Sequence, residues 1–230
     1  MDFHFCFLGT RPWSDIYTLC LRSCLLNASP ARVIVYHDHE GEGEAWEAAK
    51  NLNVLWKPIQ ESKSEMEFRF ETLYEHGGWV CSLDFIFLKR LPALTKSVVL
   101  GIENRQRGQL HTELVGSPPR TAFVAKLLEW ARAGPMPQTT MLVATEMGAT
   151  IVARNAFYPI SATNSAFWIG APIRLAKSSA VFLWESKRPS LCVDALRSTA
   201  LAPLIASIEA GHSIATGSVK KSAPGFLSFA

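Results

Sequence analysis

Three short apolar runs near the start of the chain, at positions 3 to 8, 33 to 36 and 54 to 56, alternate with two stretches of helical spacing. Runs this short, rich in Phe, Val and Ile, read as strands. Strands that alternate with helices call for a parallel sheet, because a parallel neighbour is reached only by a crossover connection. Ser14 can cap the first helix, on which Ile16, Leu19, Cys20 and Ser23 share one face. The second helix is expected from about position 43 to 52. The opening therefore reads strand, helix, strand, helix, strand, the start of an α/β fold with a mainly parallel, Rossmann-like sheet flanked by helices.

At 230 residues and 48% hydrophobic content, the chain can bury one sizeable core. A single domain is expected over 1–210. Residues 211–230, rich in Gly, Ser and Lys, read as a loosely held tail. Lys and Arg number 23 against 20 Asp and Glu, and apart from isolated pairs such as Lys220 and Lys221 they are scattered. That balance argues against nucleic acid as a partner and leaves a polyanionic small ligand compatible. No run of about 18 apolar residues is present, so no membrane span is expected. Cys6, Cys20, Cys24, Cys81 and Cys192 are odd in number and lack CxxC spacing, and the opening MDFHFCFLG has no positively charged leader. Reduced, buried thiols and a cytoplasmic location are the expectation.

The best-defined helix follows Ser64, which with Glu67 forms a capping-box signature. Met66, Phe70, Leu73 and Tyr74 repeat at helical spacing until Gly77-Gly78. The next stretch, WVCSLDFIFL, reads as strand-like pieces at 79 to 81 and 85 to 88 flanking one carboxylate, Asp84. Burying that charge is costly without a partner. Either Asp84 sits at a strand end, accepts backbone N–H groups or an arginine and shapes a turn, or it stands at the C-terminal edge of a parallel sheet and holds a divalent cation against a diphosphate. Arg69, one turn from both Met66 and Leu73, either snorkels out to solvent or pairs with Glu65, or else reaches a ligand's sugar or phosphate oxygens over the sheet edge. Further on, strands are expected near 97 to 102, 114 to 116 and 180 to 184, and helices near 121 to 131 and 191 to 208.

Taken together, the stretch RFETLYEHGGWVCSLDFIFLKRL resembles the central motif of sugar-nucleotide glycosyltransferases with the DXD signature. The resemblance is nearest to the α1,4-galactosyltransferase and α1,4-N-acetylglucosaminyltransferase group and to capsular-polysaccharide glycosyltransferases. The opening FHFCFLGTRPWSDIYTLCLRSCLL, the segment NAFYPI and the late SSAVFLWESK are similar to further family segments in the same order. The resemblance implies a GT-A-like fold, a nucleotide-sugar donor such as a UDP-sugar, and a glycan or other hydroxyl acceptor. It also implies a Mn²⁺ or Mg²⁺ cofactor and transfer with retention. By position it makes Asp84 the metal-holding carboxylate and Arg69 the arginine facing the donor sugar. Leu8, Gly9, Thr10, Gly77, Gly78, Ser82 and Trp184 would complete the donor site.

The sequence departs from that pattern at three places. Ser82 stands where the signature has its first Asp, Met66 where an Asp precedes the arginine, and Phe182 where a metal-associated His is usual. Ser82 can still hydrogen-bond but brings no charge. Glu65, Glu67 and Glu185 are the candidate substitutes. A second reading is a glycosyltransferase-like protein without turnover that binds a nucleotide, glycan or protein. His37 and His39 flank Asp38, but a histidine pair without further ligands at suitable spacing is a weak metal signal and reads as a solvated loop. His4 and His111 read as core or edge residues. No P-loop, GxGxxG or GxSxG motif is present.

Overall fold

The computed structural model describes residues 1–60, 63–104, 109–134, 137, 140–160, 175–183 and 191–213. In chain order the elements are β1 (Asp2–Phe7), α1 (Asp15–Ser23), a π-helical turn (Cys24–Ala28), β2 (Arg32–His37), α2 (Glu44–Lys50), β3 (Leu55–Pro58), α3 (Glu65–His76), β4 (Gly78–Cys81) and β5 (Phe85–Phe87). They continue with β6 (Val99–Asn104), β7 (Gln109–Ser117), α4 (Ala122–Ala133), α5 (Thr140–Glu146), β8 (Thr150–Val152), α6 (Arg154–Phe157), β9 (Ala180–Phe182), α7 (Val193–Arg197) and α8 (Ala202–Glu209).

A seven-stranded sheet runs in the order β3-β2-β1-β4-β7-β6-β8. The strands from β3 to β4 are parallel, as is β6 with β8, while β7 is antiparallel to both its neighbours. The alternation of side chains along each strand assigns the two faces. Phe3, Phe5 and Phe7 of β1, with Val33, Val35, Trp79 and Cys81, enter the core beneath α1 and α2. On the other face, Val80 and Val115 meet Phe70 and Leu73 of α3 and Phe123 and Leu127 of α4. The sheet is thus covered on both sides, which is the expected α/β architecture.

Local chemistry explains the helix ends. Ser14 accepts from the Ile16 N–H and Ser64 from the Glu67 N–H, both at 3.2 Å. Only half of the Ser64–Glu67 capping box closes, because the Glu67 carboxylate turns to Arg132 of α4 at 2.9 Å. The single helix expected over 191 to 208 is broken into α7 and α8. Pro203 lies in the first turn of α8, where its missing N–H costs nothing, whereas inside a continuous helix its ring would clash one turn back. The tail expected from 211 lies outside the described residues from position 214 on.

Gly77 and Gly78 adopt φ of +67° and +91°, the region that favours glycine. A Cβ on Gly78 would stand 2.5 Å from the Asp2 carbonyl oxygen, and one on Gly77 would stand 2.7 Å from Pro119. Gly78→Ala is expected to cost about 2 to 3 kcal/mol through backbone strain and overpacking, read as a lower urea midpoint at unchanged slope. A midpoint equal to wild type would show that this strand start can shift.

Candidate functional site

Asp84 does not sit on a strand. It ends the short connection between β4, in the main sheet, and β5, which pairs with β9 in a separate two-stranded sheet. The chain therefore leaves the C-terminal edge of the parallel sheet at Ser82, the edge at which open α/β folds hold ligands. Ser82 donates its hydroxyl hydrogen to Asp84 Oδ1 at 2.6 Å, fixing the carboxylate's orientation. The Asp84 carbonyl accepts from the Leu183 N–H at 2.9 Å and ties the connection to the end of β9.

These groups line a cavity of about 320 Å³ together with Arg11, Tyr17, Glu65, Met66, Arg69, Leu83, Glu113 and Phe182. Arg69 is 5% exposed and reaches neither solvent nor Glu65. Its guanidinium donates to Glu113 Oε2 and to the Thr112 carbonyl, each at 2.8 Å. Burial works against the Arg69 charge, but the neighbouring Glu113 and Glu65 carboxylates outweigh it and raise its pKa further. Burial likewise pushes the Glu113 carboxyl up, and the Arg69 cation more than reverses this, so Glu113 is held below the usual carboxylate range. The Arg69 Nε–H is buried with no acceptor among the described residues.

Glu65 pairs instead with Arg11 at 3.3 Å. Arg11 also donates to the Cys6 carbonyl at 3.1 Å and lies 5.3 Å above the Tyr17 ring. The loop carrying it is clasped by the His37-Asp38-His39 triplet. The Gly9 N–H faces both Asp38 oxygens at 3.2 and 3.0 Å, and His39 stands between Asp38 at 2.6 Å and the Arg11 carbonyl at 3.3 Å. The Gly9 N–H and His39 hold the Asp38 carboxyl below its usual range although burial opposes this. His37 is buried, and its ring faces Trp46 and Trp56. The triplet expected to be a solvated loop is a structural clasp.

Several expected site residues lie elsewhere. Gly77 and Gly78 stand at the other end of β4 from Ser82, and their glycine identity answers to the close approach of Asp2 and Pro119. Leu8, Gly9 and Thr10 flank the cavity through the loop that delivers Arg11 and do not line it. Glu67 faces Arg132 on α4. Met66, expected on the buried face of α3, is exposed at the cavity's edge. Trp184 and Glu185 lie outside the described residues. His111 is buried, stacked on Tyr158 at 4.2 Å and edge-on to Phe182 at 4.9 Å.

Arg11 and Glu113 are the two charged residues the sequence reading missed. Glu113 carried the same signal as Asp84, a lone carboxylate in an apolar strand, LHTELVG. Arg11 lies four residues past the C-terminal end of β1, in the loop at the sheet's ligand edge.

Among the described residues, no group of three or more His, Cys, Asp or Glu side chains forms a complete metal cage. Mg²⁺ or Mn²⁺ that arrives with a diphosphate needs only one or two carboxylates, the remaining ligands being phosphate oxygens and water. Asp84, oriented by Ser82, fits that smaller demand.

No family model and no curated protein matches this chain. Among solved structures it is similar to the PaToxG glycosyltransferase, at 12% identity over 95% of this chain and 80% of that chain, with a TM-score of 0.45. It is also similar to the galactosyltransferase LgtC in complex with donor and acceptor sugar analogs, at 13% identity over 90% of this chain and 96% of that chain, with a TM-score of 0.48. An active-site mutant of LgtC gives 12% identity over 90% and 95% of the two chains, with a TM-score of 0.47. These are similarities in the arrangement of strands and helices, and the chemistry of the site rests on this chain's own residues.

Proposed function

We propose that the protein is a glycosyltransferase that moves a sugar from a nucleoside-diphosphate donor, a UDP-sugar foremost, to a hydroxyl of a glycan or other acceptor. The observation that carries this reading is the convergence of Asp84, Ser82, Arg69 and Glu113 on one cavity at the C-terminal edge of the sheet. Asp84 and Ser82 would hold a divalent cation, which when bound offsets the charge of the departing diphosphate. The chain's own part is to position the groups. Ser82 fixes the Asp84 carboxylate, the Asp38–His39 clasp sets the loop that carries Arg11, and the Arg69–Glu113 pair presents a rigid, charged wall to the sugar. No side chain in the cavity is assigned as a nucleophile, and the resemblance to retaining enzymes suggests attack on the face the diphosphate leaves.

One observation favours the second reading, a binding protein without turnover. Both arginines of the cavity already face carboxylates, and Ser82 brings no charge to the cation. Calorimetric titration of UDP and GDP, with and without Mn²⁺, separates the two on the native protein and on Asp84→Ala. Binding that needs both Mn²⁺ and Asp84 is expected, with affinity falling at least about tenfold when either is removed. Metal-independent binding untouched by Asp84→Ala would support the second reading, and no nucleotide binding in any condition would overturn the glycosyltransferase reading.

A further inference from the structure

We propose that Glu113 selects the donor sugar, accepting hydrogen bonds from the hydroxyls of a neutral hexose and turning away a sugar that carries its own carboxylate. This rests on the glycosyltransferase reading above and adds the substrate class that the site admits. Glu113 uses Oε2 for Arg69, at 2.8 Å, and Oε1 accepts no hydrogen bond from the described residues. The side chain is 32% exposed and lines the cavity, so that oxygen is open to a ligand. An ionised carboxylate offers acceptor sites only, and a hydroxyl is the complement it can use.

The other charges in the cavity point the same way. Among the described residues that line it, Glu65, Asp84 and Glu113 face two cations, Arg11 and Arg69, and each guanidinium already meets a carboxylate. A uronate entering here would find no uncommitted arginine among the described residues that line the cavity and would stand beside an acceptor-only oxygen. Its desolvation would go uncompensated. A bound cation does not reverse this, because the diphosphate that accompanies it carries the opposing charge. A neutral hexose meets no such cost.

Calorimetry in the presence of Mn²⁺ tests the inference with UDP, UDP-glucose and UDP-glucuronate, and in parallel with GDP, GDP-mannose and GDP-mannuronate. For whichever nucleotide binds, the hexose conjugate is expected to bind at least about tenfold more tightly than the uronate. Glu113→Gln keeps a carbonyl acceptor for Arg69 and removes the charge. In that variant the gap between the hexose and uronate conjugates should close to under about threefold. A wild-type protein that binds uronate as tightly as hexose, or a Gln variant that keeps the full gap, would overturn the inference and leave the glycosyltransferase reading standing. Absence of any nucleotide binding removes that reading first, and the inference with it. Should the Gln variant fail to fold, the wild-type gap at about 0.05 M and about 1 M salt decides, since discrimination by charge narrows with screening and discrimination by shape does not.

Discussion

Glu113→Ala is expected to lower stability by about 3 to 5 kcal/mol, and by more than Arg69→Met does. The asymmetry comes from what each substitution leaves behind. Without Glu113, the Arg69 guanidinium remains in a site where its side chain is 6% exposed, and it cannot shed its proton. Without Arg69, the Glu113 carboxylate is 32% exposed and can be hydrated from the cavity or take up a proton. Arg69→Met also keeps an unbranched apolar stem against the core of α3, so its cost should fall to about half. The double variant Glu113→Leu with Arg69→Met removes both charges and should recover most of the loss, because a buried pair contributes little beyond apolar packing of the same shape. Urea midpoints of the three variants at neutral pH measure the cycle. A larger loss for Arg69→Met than for Glu113→Ala would mean that the Thr112 carbonyl, and not Glu113, is the partner that matters to Arg69.

This pair also shows how far the residues could be read before their placement was known. The alternation of apolar runs and helical spacing determined the α/β class, because burying Phe3, Phe5 and Phe7 on one face of β1 and His4 and Cys6 on the other requires a sheet covered on both sides. The Ser14 and Ser64 caps were legible for the same reason, since each acts within three residues. The partners of charges were not. Arg69 could pair with Glu65 one turn away or with anything the sheet edge supplied, and the choice fell to Glu113, 44 positions along on an antiparallel strand. Glu65 then went to Arg11. Strand periodicity also could not say that β5 leaves the main sheet to pair with β9, the step that places Asp84 in a connection facing the cavity. Local propensity reports on neighbours in sequence, whereas sites are assembled across it.

Acid should unfold the protein from an unusually high pH, because two buried histidines resist protonation. Burial takes the pKa of His4 from 6.5 down to about 4, against the pull of Asp2, and does the same to His111 against the pull of Glu113. His4 lies between Tyr36 and His76 at the start of β1, and His111 is sealed between Tyr158 and Phe182 behind the cavity. Neither has room for an added charge. In the unfolded chain both titrate near 6.5, so between pH 6.5 and about 4 the unfolded state binds more protons and stability rises with pH. Each histidine therefore contributes stability that is fully present above 6.5, is lost as pH falls, and amounts to about 3 kcal/mol at the acid end. Together they approach the whole stability of an ordinary domain. Urea midpoints are expected to decline steadily from pH 7 to pH 5, before carboxylates begin to protonate. His111→Gln, which cannot ionise, should flatten about half of that slope whatever it does to stability at pH 7, and His4→Gln the other half. A profile level down to pH 5 would show that the fold opens around these rings and lets them charge.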